Sequence, residues 1–298
     1  IFLHAPWIVS KTRSVRADFP EPTLLTEAAL ASVIREAEKG ITENFRAAHR
    51  EIAEAVRAVE KKITEYRVNG YGVSSAVGQK AQTLELTLLE SFAPENAVAR
   101  FAASLTSLTS APLEWHGAAA ACAGARAALA HGEGDMLTLS AGGEATEVCI
   151  TRRGVLHEVV SLPLGLHTAA RAVWEEGAAH SVTAAEALLR AASASALADS
   201  RRPEAEAARA RQAERFRRAV SDALAPKISA GFLPRQSLLL ADESNLSFYS
   251  RAFGEPLPTE VSVRGAEAFA PTVQFFREAG RDTFFAGEAA FIALYTKF

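Results

Sequence analysis

The segment from residue 136 to residue 165 restricts the possible folds of this chain more than any other. Residues 136–139 and 147–152 have strand character and are separated by a turn that contains Gly142 and Gly143. A second tight turn, Arg153-Gly154, leads into a third strand-like segment, residues 155–161, and Pro163-Leu164-Gly165 ends the series. Strands joined by short glycine turns predict a β-meander.

Helical segments dominate the residues that follow the meander. A helix is predicted near His167, and the spacing Thr183-x-x-Glu186 predicts a capped helix start at Thr183. The remaining predicted elements are a helix over 203–225, a strand over 237–241, a helix over 245–253, a strand over 260–263, a helix over 271–278 and a closing helix over 286–296. Strands alternating with helices indicate an α/β arrangement.

The residues before the meander predict a smaller α+β unit. Residues 1–16 are extended and end near Pro20 and Pro22, and Thr26 is a plausible N-cap. Apolar residues at spacings of three and four predict one long helix from Ile41 to Ile63. The other predicted elements are a helix over 27–39, strands over 66–73 and 83–90, and a helix over 94–108.

Composition excludes several function classes. The chain has 298 residues, a net charge of -3 and a pI of about 6.2, without the basic surplus of nucleic-acid-binding proteins. Cys122 and Cys149 lack metal-ligand spacing and are expected to be buried thiols in a reducing compartment. No apolar run is long enough to span a bilayer. Because the chain starts at Ile1 rather than Met, we expect it to be an N-terminally trimmed piece.

The glycine turn carries a resemblance to a known superfamily. The segment 137–150 is similar to the second phosphate loop of actin and heat-shock-70 proteins, which has the pattern Asp-x-Gly-Gly-Gly-Thr-Thr-Asp between two strands. In that pattern the glycines let backbone amides approach phosphate, and the first aspartate acts through a metal ion. Ser140 stands at the aspartate position, Gly142 and Gly143 match, and Glu144 replaces the third glycine. Thr146 lies where a phosphate contact is expected, and Glu147 replaces the second aspartate.

The order of elements resembles the FtsA and PilM subgroup of this superfamily. Residues 152–156 and 161–165 are similar to its hairpin and Pro-Leu-Gly segment, and residues 72–90 look like its small inserted domain. The resemblance implies an α/β fold with an actin-like (ribonuclease H-like) mixed sheet flanked by helices, plus a small α+β inserted domain. It implies the end of a first lobe and the insert over 1–110, and a second lobe over 111–298 with a helical subdomain near 167–235.

The adenosine-binding motif of the superfamily is a strand followed by Gly-Gly and a helix. At the matching position this chain has Asp242, Glu243 and Ser244. Asp242 and Glu243 occupy the glycine sites, where their side chains would obstruct a nucleotide and their carboxylates would repel phosphate. An exposed turn with Ser244 as a helix N-cap is the structural alternative. The degenerate motifs imply that no cofactor is bound, with ATP and magnesium as the alternative.

One predicted helix is rich in arginine. Residues 203–225 contain Arg209, Arg211, Arg215, Arg217 and Arg218 together with Glu204, Glu206 and Glu214. Pairs at helical spacing predict a solvated face, and a face that binds an acidic lipid or a partner is the alternative.

Three functions follow as hypotheses. The first is a bacterial, cytoplasmic scaffold in cell division or type IV pilus-type assembly, which self-associates or binds protein partners. Such a protein would bind no nucleic acid, would lack a transmembrane segment and would reach the inner face of the membrane only through a partner. The second is a working ATPase whose first phosphate loop lies upstream of Ile1. The third is an α/β binding protein outside the superfamily.

Overall fold

The fold was analysed in a computed structural model of the chain. It describes residues 1–48, 55–129, 134–191, 202–228, 234–242, 245–253, 260–263, 269 and 283–295. The chain divides into two compact units. The first contains Ile1, Trp7–Gly117 and Val155–His157, and the second contains Phe2–Pro6, Ala118–Gly154 and Glu158–Phe298.

The first unit is built on a four-stranded sheet with the order β2-β5-β3-β4. Its strands are β2 (Val9–Leu24), β3 (Val56–Val68), β4 (Tyr71–Val73) and β5 (Lys80–Pro94), and each adjacent pair is antiparallel. The unit also contains α1 (Glu27–Glu38), α2 (Ile41–Ala48), α3 (Glu95–Thr106) and β6 (His116–Gly117). Among its described residues, one apolar cluster lies around Leu84 and Leu86 and another around Phe45, whose ring stacks on that of Phe92.

The predicted long helix over 41–63 is wrong in its second half. Helix α2 ends at Ala48, and residues 56–68 form strand β3, which pairs with the central strand β5 along its length. Register shifts between Ala58 and Glu60 and between Ile63 and Glu65 break the two-residue alternation of β3. Each inserted residue turns a spacing of two into three, so the apolar positions imitate a helical period.

Two other expectations concern the start of this unit. Thr26 caps α1 as predicted, because its hydroxyl accepts a hydrogen bond from the Ala29 amide. The expected break near Pro20 and Pro22 is wrong, since β2 continues to Leu24. Strand β2 lies at the edge of the sheet, and its pairing with β5 shifts register between Asp18 and Thr23. Proline is tolerated at such edge and bulge positions because no ladder hydrogen bond is lost there.

The second unit is a mixed five-stranded sheet with the order β11-β10-β7-β8-β9. Its strands are β1 (Phe2–Leu3), outside that sheet, and β7 (Met136–Ala141), β8 (Thr146–Arg152), β9 (Val155–Leu162), β10 (Gln236–Leu240) and β11 (Glu260–Val263) within it. Its helices are α4 (Ala118–Leu129), α5 (Leu166–Glu175), α6 (Val182–Ala191), α7 (Arg202–Ile228), α8 (Leu246–Phe253) and α9 (Thr283–Tyr295). Strand β10 is parallel to β7 and β11, whereas β8 is antiparallel to β7.

Helices cover both faces of this sheet. Leu139 and Val148 belong to the apolar core that includes buried residues of α5, α6, α7 and α8. The alternate residues of these strands point to the other face of the sheet. There Cys149 contacts Cys122 of α4, and Leu240 lies near Gly287 of α9. The mixed sheet flanked by helices and the separate α+β unit agree with the predicted fold class.

Some boundaries in the second unit differ from expectation. Helix α6 begins at Val182, and the side chain of Ser181 accepts the Ala184 amide, so the predicted cap at Thr183 is wrong. Strand β7 extends through Ser140 and Ala141, which were expected in the turn. The predicted helix over 271–278 lies outside the described residues. Within the described part of the chain, no helix combines the length and apolar character needed to cross a bilayer.

Candidate functional site

The turn between β7 and β8, here called the glycine turn, consists of residues 142–145. Ala141 pairs with Thr146 at the end of the ladder, and the Gly142 amide donates to the Ala145 carbonyl at 2.9 Å. The turn is therefore closed by its own backbone hydrogen bond. The parallel neighbour β10 pairs through Leu240 with Ser140, so the segments after β7 and after β10 leave the sheet at the same edge.

The first turn of α5 packs directly on the glycine turn. The amide of Leu166 donates to the Gly142 carbonyl at 3.3 Å, and the amide of His167 donates to the Gly143 carbonyl at 2.7 Å. A Cβ atom on Gly165 would lie only 2.3 Å from the Gly143 carbonyl oxygen and 2.6 Å from the Glu144 amide nitrogen. Two helix-start amides that could otherwise bind an anion are thus bonded to the protein itself.

The imidazole of His167 covers Gly143. A Cβ atom on Gly143 would lie 2.5 Å from Cδ2 and 2.6 Å from Nε2 of that ring. Nδ1 of His167 is bonded to the carboxylate of Glu186, and Arg190 approaches the same carboxylate at 3.9 Å. The glycine is therefore required by contact with a side chain of the chain itself.

An ion pair covers the next residue of the turn. The guanidinium of Arg171 donates to both carboxylate oxygens of Glu144, at 3.0 and 2.6 Å. This hydrogen bond lowers the pKa of Glu144, and the carboxylate in turn raises the pKa of Arg171. Glu144 is consequently anionic at neutral pH and bound to a fixed cation.

Tyr249 of α8 approaches the glycine turn from the helical layer. Its hydroxyl donates to the Gly142 carbonyl at 2.6 Å, so this carbonyl accepts two hydrogen bonds. The side chain is buried, and burial raises the pKa of the Tyr249 hydroxyl well above its ordinary value. The hydroxyl therefore stays protonated and acts as a structural donor.

The other two predicted residues of the phosphate loop lie inside the sheet. Ser140 is buried in β7, opposite Glu147 of β8. Thr146 is fully buried, and its hydroxyl donates to the Leu164 carbonyl at 2.8 Å. This bond ties β8 to the segment that leads into α5.

The predicted adenosine segment is described only at its ends. The Asp242 carbonyl accepts the amides of Asn245 and Leu246 at 2.9 and 3.1 Å, which begins α8. Glu243 and Ser244 lie outside the described residues. The side chain of Asn245 accepts a hydrogen bond from Nε of Arg190 at 2.9 Å. Arg190 thereby connects this segment to the carboxylate that holds His167.

The structure thus brings together residues that sequence reasoning did not select. His167 and Arg171 stand one helical turn apart on α5, beside Gly143 and Glu144 respectively, and their spacing of four was the available signal. Tyr249 gave no such signal, because its contact depends on how α8 packs. Among the described residues, no group of three or more His, Cys, Asp or Glu side chains is placed to hold a metal ion.

A buried thiol pair lies under the other face of this sheet. Cys122 of α4 and Cys149 of β8 are both free and buried. Hydrogen bonding to Cys122, together with burial, raises the pKa of the Cys149 thiol well above its ordinary value. Both residues are therefore buried core thiols, as the sequence predicted.

Comparison with solved structures identifies the fold. A PilM-PilN type IV pilus biogenesis complex matches with a TM-score of 0.59 and 17% identity, over 98% of this chain and 79% of that chain. The fold is actin-like and similar to that of PilM. The ethanolamine utilization protein EutJ from Carboxydothermus hydrogenoformans matches at a TM-score of 0.37 and 16% identity, over 60% of this chain and 56% of that one. An archaeal actin homologue in complex with ADP matches at 0.39 and 13%, over 60% and 56% respectively.

Comparisons at the level of sequence add no relative. No protein-family model matches the chain. The search of curated proteins likewise gives no match. The fold is therefore assigned from the three-dimensional arrangement, which agrees with the resemblance inferred from the order of elements.

Proposed function

We propose that this chain is an actin-like scaffold that acts through protein-protein contacts and binds nucleotide weakly or not at all. The observation that carries the proposal is the occupation of the glycine turn by the chain's own groups. The carbonyls of Gly142 and Gly143 accept hydrogen bonds from α5 amides, and the His167 ring covers Gly143.

The described residues do not fit a magnesium-bound phosphate group. Ser140 provides no carboxylate where the superfamily has its metal-directed aspartate. Glu144 adds a negative charge at the turn, and its carboxylate is held there by Arg171. Thr146 directs its hydroxyl to a backbone carbonyl inside the protein. We therefore regard Ser140, Gly142, Gly143, Thr146, Asp242, Glu243 and Ser244 as the outline of a lost nucleotide site.

The partner and the process follow by analogy. The similar PilM structure is a complex with PilN in type IV pilus biogenesis. By analogy we place this chain in pilus-type or division-type assembly, in the cytoplasm at the inner face of the membrane, where a partner holds it. We assign residues 1–110 to the end of a first lobe plus a partner-binding insert, and residues 111–298 to a second lobe with a helical subdomain over 167–235.

Calorimetric titration of the protein with magnesium-ATP tests the nucleotide part of the proposal. We expect no heat beyond that of dilution, since the His167 ring covers Gly143 and Glu144 adds a carboxylate to the turn. The variant R171M/E144G removes the ion pair and restores the third glycine, and it serves as the matched comparison. Micromolar binding by the unmodified protein would favour the alternative function, an ATPase of the same fold.

A separate experiment tests the scaffold part. Light scattering after size-exclusion chromatography reports whether the protein self-associates, with and without a PilN-type protein from the same organism. We expect either a homo-oligomer or a complex. Two results together would contradict this role. One is a protein that stays monomeric and does not bind the PilN-type protein, and the other is a deletion strain with unchanged piliation and cell length.

A further inference from the structure

The outward face of α7 carries a concentration of arginine around a surface concavity. The concavity has a volume of about 550 Å³. Its described lining residues are Ala210, Arg211, Glu214, Arg215, Arg217 and Arg218. Four guanidinium groups therefore surround the opening, against one carboxylate.

The inner face of the same helix is firmly packed. Phe216, Val220 and Leu224 are fully buried in the core of the second unit. The Phe216 ring makes edge-on contacts with Phe248 at 5.7 Å and Tyr249 at 5.8 Å between centroids. The arginine face is thus presented on a helix whose orientation is set by core packing, which lowers the entropy cost of binding at that face.

The acids near this face leave many guanidinium donors available. Glu214 accepts hydrogen bonds from both Arg217 at 2.8 Å and Arg218 at 2.9 Å, so one carboxylate is shared by two cations. Arg211 pairs with Glu176 of the segment after α5 at 2.8 Å. Arg215 is exposed and forms no ion pair within the described part of the chain. Since each guanidinium has five N–H donors, the cluster retains positive charge and unused donors.

The spacing of the arginines suits an extended chain. Arg211, Arg215 and Arg218 follow at intervals of four and three and so lie on one stripe of the helix. Their Cα atoms span about 10 Å along the axis at ~1.5 Å per residue. Side chains on one face of an extended peptide repeat at about 7 Å, so two successive carboxylates fit along this stripe.

We propose that the arginine face of α7 binds an acidic, extended segment of a protein partner. Guanidinium groups pair with carboxylates in two-pronged geometry, which gives such a segment both affinity and orientation. The face is separate from the glycine turn and its ion pair, so the inference goes beyond the proposed function and does not depend on the absence of nucleotide.

Other anionic partners fit this face less well. Peripheral membrane helices insert large apolar side chains beside their basic residues. None of the large exposed apolar side chains among the described residues belongs to α7. Nucleic-acid-binding surfaces usually belong to chains with a basic surplus, whereas this chain has a net charge of -3. The exposed Asp222, one turn beyond Arg218, also limits the length of the basic stripe.

Fluorescence anisotropy with a labelled dodecapeptide of alternating glutamate and serine tests the proposal. The matched probe replaces every glutamate by glutamine. We expect the acidic peptide to bind and the neutral one not to bind, with affinity that falls as salt rises above about 0.15 M. The double variant R215E/R218E reverses two exposed charges, and we expect it to weaken binding at least about tenfold.

The variant R100E is the control for a general change in charge. Arg100 is an exposed arginine of α3 in the first unit, and its reversal is expected to leave peptide affinity unchanged. Thermal unfolding of both variants establishes that they are folded. If R215E/R218E is misfolded, the single variant R215Q replaces it, with a smaller expected loss of affinity.

Several results would overturn the proposal. One is absence of acidic-peptide binding by the unmodified protein, and another is binding that R215E/R218E leaves unchanged. An equal loss of peptide affinity in R100E would show that the effect depends only on the net charge of the protein. A third is that the protein does not bind the peptide but does bind phosphatidylserine vesicles or a DNA oligonucleotide, and that R215E/R218E loses this binding. That result would assign the face to a membrane or a nucleic acid instead.

Discussion

Replacing Gly165 by alanine tests the contact between α5 and the glycine turn. Gly165 has φ -148° and ψ -177°, an extended conformation that alanine adopts freely. The added Cβ atom would lie 2.3 Å from the Gly143 carbonyl oxygen, 2.4 Å from its carbonyl carbon and 2.6 Å from the Glu144 amide nitrogen. All three atoms belong to the backbone, so relief requires the helix and the turn to move apart.

The expected cost combines two effects. Overpacking at a tight site destabilises a protein by about 1–3 kcal/mol. Movement of α5 away from the turn also breaks the bond from the His167 amide to the Gly143 carbonyl, now 2.7 Å long. A hydrogen bond of this kind contributes about 0.5–1.5 kcal/mol. We expect G165A to lower the free energy of unfolding by roughly 2–4 kcal/mol.

Urea unfolding followed by far-ultraviolet circular dichroism measures this loss, with two other glycine variants as controls. A Cβ atom on Gly134 would meet nothing within 4 Å, so G134A should stay within about 0.5 kcal/mol of the unmodified protein. Gly177 also faces open space but has a φ of +78°, so G177A should cost about 1–2 kcal/mol through backbone strain alone.

The order of the three losses decides the question. G165A should be the most destabilised, G177A intermediate and G134A nearly neutral. If G165A unfolds at the same urea concentration as G134A, α5 is not in contact with the glycine turn, and the proposal that α5 closes this turn is refuted.

Three further predictions concern the same unit. R171M should return the pKa of Glu144 toward its ordinary value. A pKa that is lower in the folded state stabilises the protein only above the pKa of the unfolded state. The unmodified protein should therefore be slightly more stable than R171M at neutral pH, and this difference should shrink as the pH falls through the lowered pKa of Glu144. Y249F should lower the free energy of unfolding by about 0.5–1.5 kcal/mol in urea titrations, through loss of its bond to the turn, and an unchanged value would contradict that bond. Cys122 and Cys149 should not react with Ellman's reagent in the native protein, and both should react in denaturant; rapid native labelling would show that the thiols are accessible.

The second unit was largely predictable from local patterns. Residues 147–152 and 155–161 became strands with nearly the predicted limits, because short turns join them and each has a face that must be buried. The cap of α6 was missed by two residues, since Ser181 and Thr183 are both good capping residues and the sequence does not rank them.

The first unit shows where the local pattern misleads. The apolar spacing from Ile41 to Ile63 fits a helix, yet its second half is the strand β3. Pairing with β5 stabilises the strand over its whole length, and the two register shifts disguise its alternation. Pairing with a distant strand therefore overrides the apparent helical spacing of the apolar residues. A local stretch of sequence cannot reveal this outcome.

The candidate site also has a part that the sequence predicted and a part that it did not. Sequence alone identified the turn at Gly142 and Gly143, with Ser140 before it and the charged Glu144 within it. It supplied chemistry for these residues through their resemblance to a phosphate loop. It supplied no partner for any of them, because the partners are separated from the turn along the chain.

The sequence by itself determined the actin-like order of strands and helices and the residues that make up the glycine turn, since both follow from residue identity and local spacing. Only the tertiary structure decided why the glycines remain. Gly143 and Gly165 allow α5 to approach the turn, where His167 covers the backbone that a phosphate loop would leave open. Such close contacts depend on how segments far apart in the sequence pack together, and a local residue pattern does not determine the distance between those segments.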